Sequence, residues 1–308
     1  MSSKATTQNT VIAVVGPTAV GKTALAIKLA THFQTEILSA DSRQCYKELA
    51  IGVASPAESE LQTAPHHFIA SHTIHSAFTA ADFESYALRM AEELFRKHDR
   101  LVLVGGTGLY IRAFLEGLDS IPEVDAALRT NVIELYQQRG IEGLGAELNR
   151  LDQQYVNEGE MQNPQRMMRA LEVVMSTGKS ILTYRTGTSK PRDFSVKWVG
   201  LELPRAVLIE RIDRRVDEMF EAGLVEEARA LYPYRELNAL QTVGYKELFE
   251  HFDGKYNLSE AIERIKIATR QYAKRQMTWF KRIPEIRWFA PNEEAMIIDY
   301  LSAEDSVS

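Results

Sequence analysis

Apolar positions along this chain fall into two alternating rhythms. Val11 to Val15 is an unbroken apolar run, rich in β-branched residues, that stops at Gly16; Lys22 to Phe33 then sets Leu25, Ile27, Leu29 and Phe33 at helical spacing. Glu36 to Ser39 and Leu101 to Val104 read as further buried strands, the second preceded by a helical stretch from Asp82 to Lys97, and Val196 to Leu203 reads as one more. Strands alternating with helices predict an α/β fold with a mostly parallel sheet flanked by helices and ligands at the carboxyl ends of the strands. Between Asp125 and Thr183 the rhythm is helical throughout, with polar turns and no strand. Residues 121–194 are therefore read as an all-helical insertion in a core made of residues 1–120 and 195–308, although the pattern also permits these helices to cover the sheet. Helices are expected over Arg205 to Tyr232, near Gly244 to Phe252 and over Ser259 to Lys281, and the acidic tail after Ile298 is expected to fray.

Composition narrows the class. With 308 residues and a single cysteine, Cys45, the chain can build a substantial core but no internal disulfide, and no Cys/His group has zinc spacing. No window reaches the roughly 20 apolar residues of a membrane span. The start MSSKATTQNT has neither a signal core nor an arginine-rich transit pattern, so a cytoplasmic protein with no membrane partner is expected. A net charge of −6 argues, as an average, against a nucleic-acid partner, but an average conceals local patches.

The break after the first strand carries chemistry. Gly16, Pro17, Thr18, Ala19, Val20, Gly21, Lys22 and Thr23 fit G-x-x-x-x-G-K-[ST] at every fixed position, between a strand and a helix, which makes the core P-loop NTPase-like. The glycines let backbone N–H groups turn inward around phosphate oxygens, and the helix N-terminus adds positive potential. Lys22 neutralises phosphate charge, and the Thr23 hydroxyl can ligate Mg²⁺.

NTPases that hydrolyse usually carry an acid at the end of a second strand, to hold the metal or position water. Here the strand Leu101 to Val104 runs instead into Gly105-Gly106-Thr107-Gly108, with no acid at its exit. This segment is a tight turn before a helix, or a place for the Thr107 hydroxyl to meet a phosphate or a base. The acid nearest the loop is Asp41, which follows the strand Glu36 to Leu38 and can either cap the next helix or take a proton from a nucleophile. Kinases of small metabolites place carboxylates similarly, so these residues separate hydrolase from transferase but not one transferase from another.

Basic residues gather where an acidic protein has least reason for them. From Arg264 to Arg287 there is one acid, Glu285, and Lys266, Arg270, Lys274 and Lys281 share a helical stripe opposite Ile265, Ala268, Tyr272, Trp279 and Ile283. Either this is a solvated charged face or it meets a phosphate backbone. A second cluster, Asn163-Pro164-Gln165-Arg166-Met167-Met168-Arg169, sets Arg166 and Arg169 one turn apart on a helix beginning after Pro164. His66 and His67, in a loop after Pro65, are expected to be structural.

Several segments together resemble the tRNA dimethylallyltransferases, also called tRNA isopentenyltransferases. They are GPTAVGKT, SADSRQCY from Ser39, PHHFI from Pro65, VGGTGLYIRAFLEGL from Val104 and NPQRMMRALEV from Asn163, then RVDEMFEAGLVEEARAL from Arg215, LQTVGYKEL from Leu240 and ATRQYAKRQMTWFKR from Ala268. They occur in family order across nearly the whole chain. The resemblance implies a Mg²⁺-dependent transfer from dimethylallyl diphosphate to N6 of the adenosine 3′ of the anticodon, in tRNAs reading codons that begin with U. Asp41 would accept the amine proton. Thr107 would lie near the transferring group and Arg215 near the diphosphate, which the loop from Gly16 to Thr23 would hold with a magnesium ion on Thr23. The resemblance further implies that Asp41, Ser42, Arg43, Gln44, Thr107 and the stretch Gln165, Arg166, Met167, Met168 and Arg169 contact the target nucleotide and its neighbours. Arg129 in the insertion and Lys266, Arg270 and Lys274 in the last helix would hold the anticodon stem-loop through phosphates. A monomer is expected. Cys45 stands where a small aliphatic residue is more usual, and Val53-Ala54-Ser55-Pro56 replaces a more usual Thr-Ala-Lys-Pro, so Ser55 cannot make the phosphate contact of a lysine. The competing reading is an ATP-dependent small-molecule kinase using the same loop.

Overall fold

The computed structural model describes residues 9–76 and 78–303, so most of the polar start and the end of the acidic tail lie outside the described residues. The first strand, β1 (Thr10–Val15), is buried on both faces, which is why its sequence is an apolar run and not an alternation. Val11, Ala13 and Val15 enter one apolar layer, and Ile12 and Val14 enter the other. Helix α1 (Lys22–His32) follows, then β2 (Ile37–Ser39), α2 (Glu58–Thr63), β3 (His66–His67), α3 (Ala80–Phe95), β4 (Arg100–Val104) and α4 (Gly108–Leu115).

Contacts divide the chain into two compact units, one of residues 1–115 and 191–308 and the other of residues 116–190. The second holds α5 (Ala126–Leu151), α6 (Gln153–Glu158) and α7 (Pro164–Thr177) around Val132, Leu144, Leu148, Tyr155 and Leu171, with no strand among the described residues. The α5 backbone leaves helical geometry at Gly140 (φ 60°, ψ −158°). The helix α7 takes Pro164 in its first turn, where no N–H is missed, and the Asn163 side chain accepts from Arg166 N at 3.2 Å. The units divide after residues 115 and 190, a few residues before the sequence-based 121 and 194. Arg192 donates to Ala113 O and Phe114 O, and the Phe194 ring packs 5.1 Å from Phe114, so the chain has rejoined the first unit by Pro191.

The first unit resumes with β5 (Ser195–Leu201), α8 (Arg205–Glu221), α9 (Leu224–Leu231), α10 (Tyr245–Phe252), α11 (Leu258–Phe280), β6 (Arg287–Phe289) and α12 (Glu294–Ser302). The six strands are all parallel, in the order β3-β2-β4-β1-β5-β6. Both edge strands are too short to show a sequence pattern. His66 and His67 form β3 and not a loop, and His67 Nε2 meets Glu36 Oε2 at 2.7 Å, with His98 Nε2 on the other carboxylate oxygen at 3.4 Å. The expected fraying after Ile298 is also corrected: α12 continues to Ser302 because Ile297 and Leu301 are buried in the layer beside α1.

The helix expected from Arg205 to Tyr232 is two helices. It breaks at Gly223, whose φ of 99° an L side chain rarely adopts. A Cβ there would meet nothing closer than 3.6 Å, so the cost of a substitution is conformational and not steric. Gly223→Ala is expected to lower stability by about 1–2 kcal/mol, read as a lower urea midpoint with an unchanged slope.

Candidate functional site

Three adjacent strand ends build the site. In the sheet β2, β4 and β1 are neighbours, so Ala40–Gln44, Gly105–Thr107 and the phosphate loop leave the carboxyl edge side by side. Backbone hydrogen bonds tie these exits together. Ala40 N donates to Val104 O at 2.7 Å, Gly105 N to Val14 O at 3.3 Å and Thr107 N to Ala40 O at 3.3 Å. A Cβ on Gly105 would stand 2.3 Å from Ala40 O, and one on Gly106 would stand 2.1 Å from Gln276 Nε2. The two glycines are therefore the condition for this approach.

The phosphate loop passes through left-handed backbone at Ala19 (φ 62°) and Gly21 (φ 109°) before α1 begins. Lys22 Nζ donates to Pro17 O at 2.7 Å, which folds the side chain back across the loop. Desolvation pulls the Lys22 ammonium down to a pKa of about 8, with Asp41 raising it and Arg215 lowering it further. Gln276, in α11 and only 6% exposed, accepts from Thr18 N at 2.8 Å and donates to Gly106 O at 3.0 Å, clasping two of the three exits. Sequence reasoning passed over it. The signal was a lone amide between Ala273 and Phe280, on the buried stripe of an otherwise polar helix.

Two joined chambers open from this edge. The polar one is lined by Thr18, Ala19, Gly21, Lys22, Thr23, Ser39, Gly105, Gly106, Glu60 and Gln276, among others. Its neighbour has an apolar wall of Val216, Met219, Leu224, Val243 and Ile265. Thr18, Asp41, Val53, Ala54, Arg215 and Tyr272 line both. Asp41 caps a turn and not the helix that the sequence allowed for. Its Oδ1 accepts from Arg43 N at 2.8 Å and Gln44 N at 3.2 Å, a local turn, while Oδ2 has no hydrogen-bond partner among the described residues. Arg215 reaches the same junction from α8, where desolvation lowers its guanidinium pKa against the opposing charges of Glu218 and Glu60. Burial, with Asp41 adding to it, pushes Tyr272 up to about 12.

The remaining expected residues divide. Gln44 lines the polar chamber, but its amide is engaged, donating to Val53 O at 3.1 Å and Ala54 O at 2.9 Å. Arg43 donates to Asn238 O at 2.8 Å. Thr107 accepts from Ser42 N at 3.1 Å and donates to Ser42 Oγ at 3.3 Å, so it holds the Asp41 turn and does not line either chamber.

The basic stripe does not wait unpaired for anions. Arg270 holds Asp213 through two hydrogen bonds, with Nε to Oδ1 at 2.8 Å, and Lys266 meets Asp217 at 2.7 Å. Lys281 pairs with Glu202 at 2.7 Å and covers the Trp288 ring. A helical wheel of α11 cannot show that α8 brings acids against it. Lys274 is exposed and has no acid partner among the described residues.

In the second unit, Met167 (1% exposed) and Met168 (8%) pack in the helical core. Arg129 and Arg169 converge on the buried Glu172 at 3.5 and 3.0 Å, and Arg166 pairs with Glu160. Gln165 is exposed.

A family model described as IPP transferase matches residues 44–283. A tRNA dimethylallyltransferase of Christiangramia forsetii is 48% identical over 96% of this chain and 98% of its own length. One from Bacteroides fragilis is 45% identical over 96% and 99%. Among solved structures, a tRNA isopentenylpyrophosphate transferase from Bacillus halodurans is 34% identical with a TM-score of 0.70, covering 96% of both chains. A eukaryotic dimethylallyltransferase acting on tRNA is 26% identical with a TM-score of 0.77, covering 96% of this chain and 80% of that one.

An anionic ligand beside Lys22 raises a pKa that starts at about 8. The Lys22 contribution to binding inorganic diphosphate is therefore expected to be complete below pH 8 and to fade as pH rises through the raised bound-state value, with proton uptake by Lys22 on binding. Calorimetry in buffers of different ionisation enthalpy checks both.

Proposed function

The chain belongs to the IPP transferase family, and from that premise we infer that it transfers a dimethylallyl group from dimethylallyl diphosphate to N6 of the adenosine 3′ of the anticodon, in tRNAs reading codons that begin with U. The products are N6-dimethylallyl-adenosine and diphosphate. The observation that carries this reading is the pair of joined chambers with Asp41 and Arg215 at their junction.

The polar chamber suits the diphosphate. Lys22, Arg215 and the loop amides offset the negative charge that grows on it as the allylic C–O bond breaks. Thr23, Ser39 and Asp41 line the same chamber and present hard oxygen donors, which fit a magnesium ion; Thr23 would hold it, and it would neutralise further diphosphate charge. No group of three or more His, Cys, Asp or Glu that could bind a metal occurs among the described residues, so the remaining ligands would be diphosphate oxygens and water. The apolar neighbour suits the allyl chain and an adenine face.

The lone pair of N6 forms the new C–N bond at the allylic carbon, and the electrons of the C–O bond leave with the diphosphate. The adenine amine is a weak nucleophile because its lone pair is delocalised, so removal of its proton belongs to the step. Asp41 supplies the base through Oδ2, while the Arg43 and Gln44 amides on Oδ1 fix its orientation. Thr107, turned onto Ser42, acts by keeping that turn in place. A phosphoryl-transferring kinase would use the same loop and Asp41, but it has no need of the apolar wall. The anticodon stem-loop is held by phosphate contacts from Lys274 and from Arg129, Gln165, Arg166 and Arg169 of the helical unit. A cytoplasmic setting follows from that acceptor.

Incubating the protein with Mg²⁺, dimethylallyl diphosphate and unmodified tRNA, then digesting the RNA for mass spectrometry, should show the prenyl mass on adenosine. Consumption of ATP with a metabolite and no such mass would establish the kinase instead. Asp41→Ala is expected to lower turnover by about 100-fold or more with tRNA affinity kept; an equal loss of affinity would make Asp41 an RNA contact.

The stripe makes a separate forecast. Lys274→Ala should weaken tRNA binding and lower the slope of log K against log salt by about one. Arg270→Ala, whose pair with Asp213 is roughly one-third exposed, should cost about 1 kcal/mol or less of stability and change the slope little. Anisotropy titrations across a salt series measure both slopes.

A further inference from the structure

Glu227 is the second glutamate of the pair that opens α9, and nothing above gives it a task. Its carboxylate accepts hydrogen bonds from three consecutive backbone amides. Ala50 N at 3.1 Å and Ile51 N at 2.8 Å meet Oε2, and Gly52 N at 2.9 Å meets Oε1. The Tyr245 hydroxyl donates to the same Oε1 at 2.6 Å, and Tyr245 itself is fully buried. Three successive amides turned to one point make an anion-binding concavity, and here the anion is built into the protein.

The segment held in this way is the wall of the site. Gly52 lines the apolar chamber, and Val53 and Ala54 line both. A Cβ on Gly52 would stand 2.7 Å from the Tyr245 ring, so the wall lies flush against that ring. From the opposite side the Gln44 amide holds Val53 O and Ala54 O, and Ala54 sits at φ 49°, a left-handed position costly for a residue with a Cβ. A strained residue persists where its surroundings over-determine it, and Glu227 with Gln44 provides that determination. No hydrogen bond joins Glu227 to the phosphate loop.

We propose that Glu227 is a positioning residue of the prenyl transfer, clamping the 50–54 wall so that donor chain and adenine meet in register beside Asp41. This rests on the transfer reading given above. A charged acceptor holding four donors is among the stronger hydrogen-bonding arrangements, and small displacements at a reacting centre are costly to rate.

The test compares Glu227→Ala, Glu227→Gln and Tyr245→Phe with the parent enzyme, using hydrogen exchange and steady-state kinetics. Glu227→Ala should lose protection at the amides of residues 50–52 and lose about 100-fold in kcat, with inorganic diphosphate affinity unchanged. Glu227→Gln keeps one carbonyl oxygen for Ala50 N and Ile51 N, and Tyr245 can accept from its amide, so its kcat should fall between the two. Tyr245→Phe, which removes one donor, should lose least. Rapid exchange confined to residues 50–52 together with the graded loss of kcat supports the clamp. Native-like protection of those amides in Glu227→Ala, or loosened amides with an undiminished kcat, overturns it. If Glu227→Ala has no cooperative unfolding transition, Glu227→Gln decides by the same two criteria. A parent enzyme that leaves tRNA adenosine unmodified refutes the transfer reading, whereas the exchange measurement still reports on the clamp.

Discussion

The carbonyl oxygen of Ala40 lies where a side chain on Gly105 would begin, and the spacing of the whole site follows from that contact. Parallel strands of one sheet sit close to 5 Å apart, but their exit loops diverge unless something draws them together. Here the exits of β2 and β4 share backbone hydrogen bonds, β4 is bonded to β1, and Gln276 reaches over from α11 to hold the last two. Asp41 is thereby brought within electrostatic reach of Lys22 without a direct bond between them. The carboxylate thus neither collapses onto the lysine nor drifts from the phosphate loop.

Charge is distributed on the same principle. Lys22 and Arg215 are both desolvated, and both have their protonated forms disfavoured by it. Among the described residues no carboxylate is hydrogen-bonded to Lys22, whose ammonium donates to a carbonyl instead. The chamber thus keeps a positive field that an anionic ligand would relieve. On α11 the opposite holds, since Asp213 and Asp217 of α8 neutralise Arg270 and Lys266, and the acids that make the chain anionic are spent partly on fixing one helix against another. Such a face contributes packing geometry between α8 and α11.

Long apolar runs and the phosphate loop were legible because each is a local pattern with one physical meaning. β1, α1, β4 and the position of Asp41 after β2 all follow from it. The two-residue β3 and three-residue β6 were not, because edge strands that short carry no periodicity. Side-chain pairing across elements was also invisible: nothing in the α11 wheel announces Asp213, and nothing near Ala50 announces Glu227. The burial of Met167 and Met168 was equally hidden, since the motif that contains them does not say which face of α7 packs. Thr107 was recognised from its motif, and its hydroxyl holds Ser42 at the Asp41 turn.

The Gln276 clasp joins positions 258 residues apart. The phosphate loop is written by residue 23, yet the hydrogen bond that closes it comes from the penultimate helix of the chain. During synthesis the loop leaves the ribosome long before its partner exists, and at about 5–20 residues per second that interval lasts well over ten seconds. A nascent chain therefore carries the motif without the Gln276 clasp until α11 has been made. Contacts of such separation slow folding, so the completed pocket is a late reporter that the entire first unit has closed.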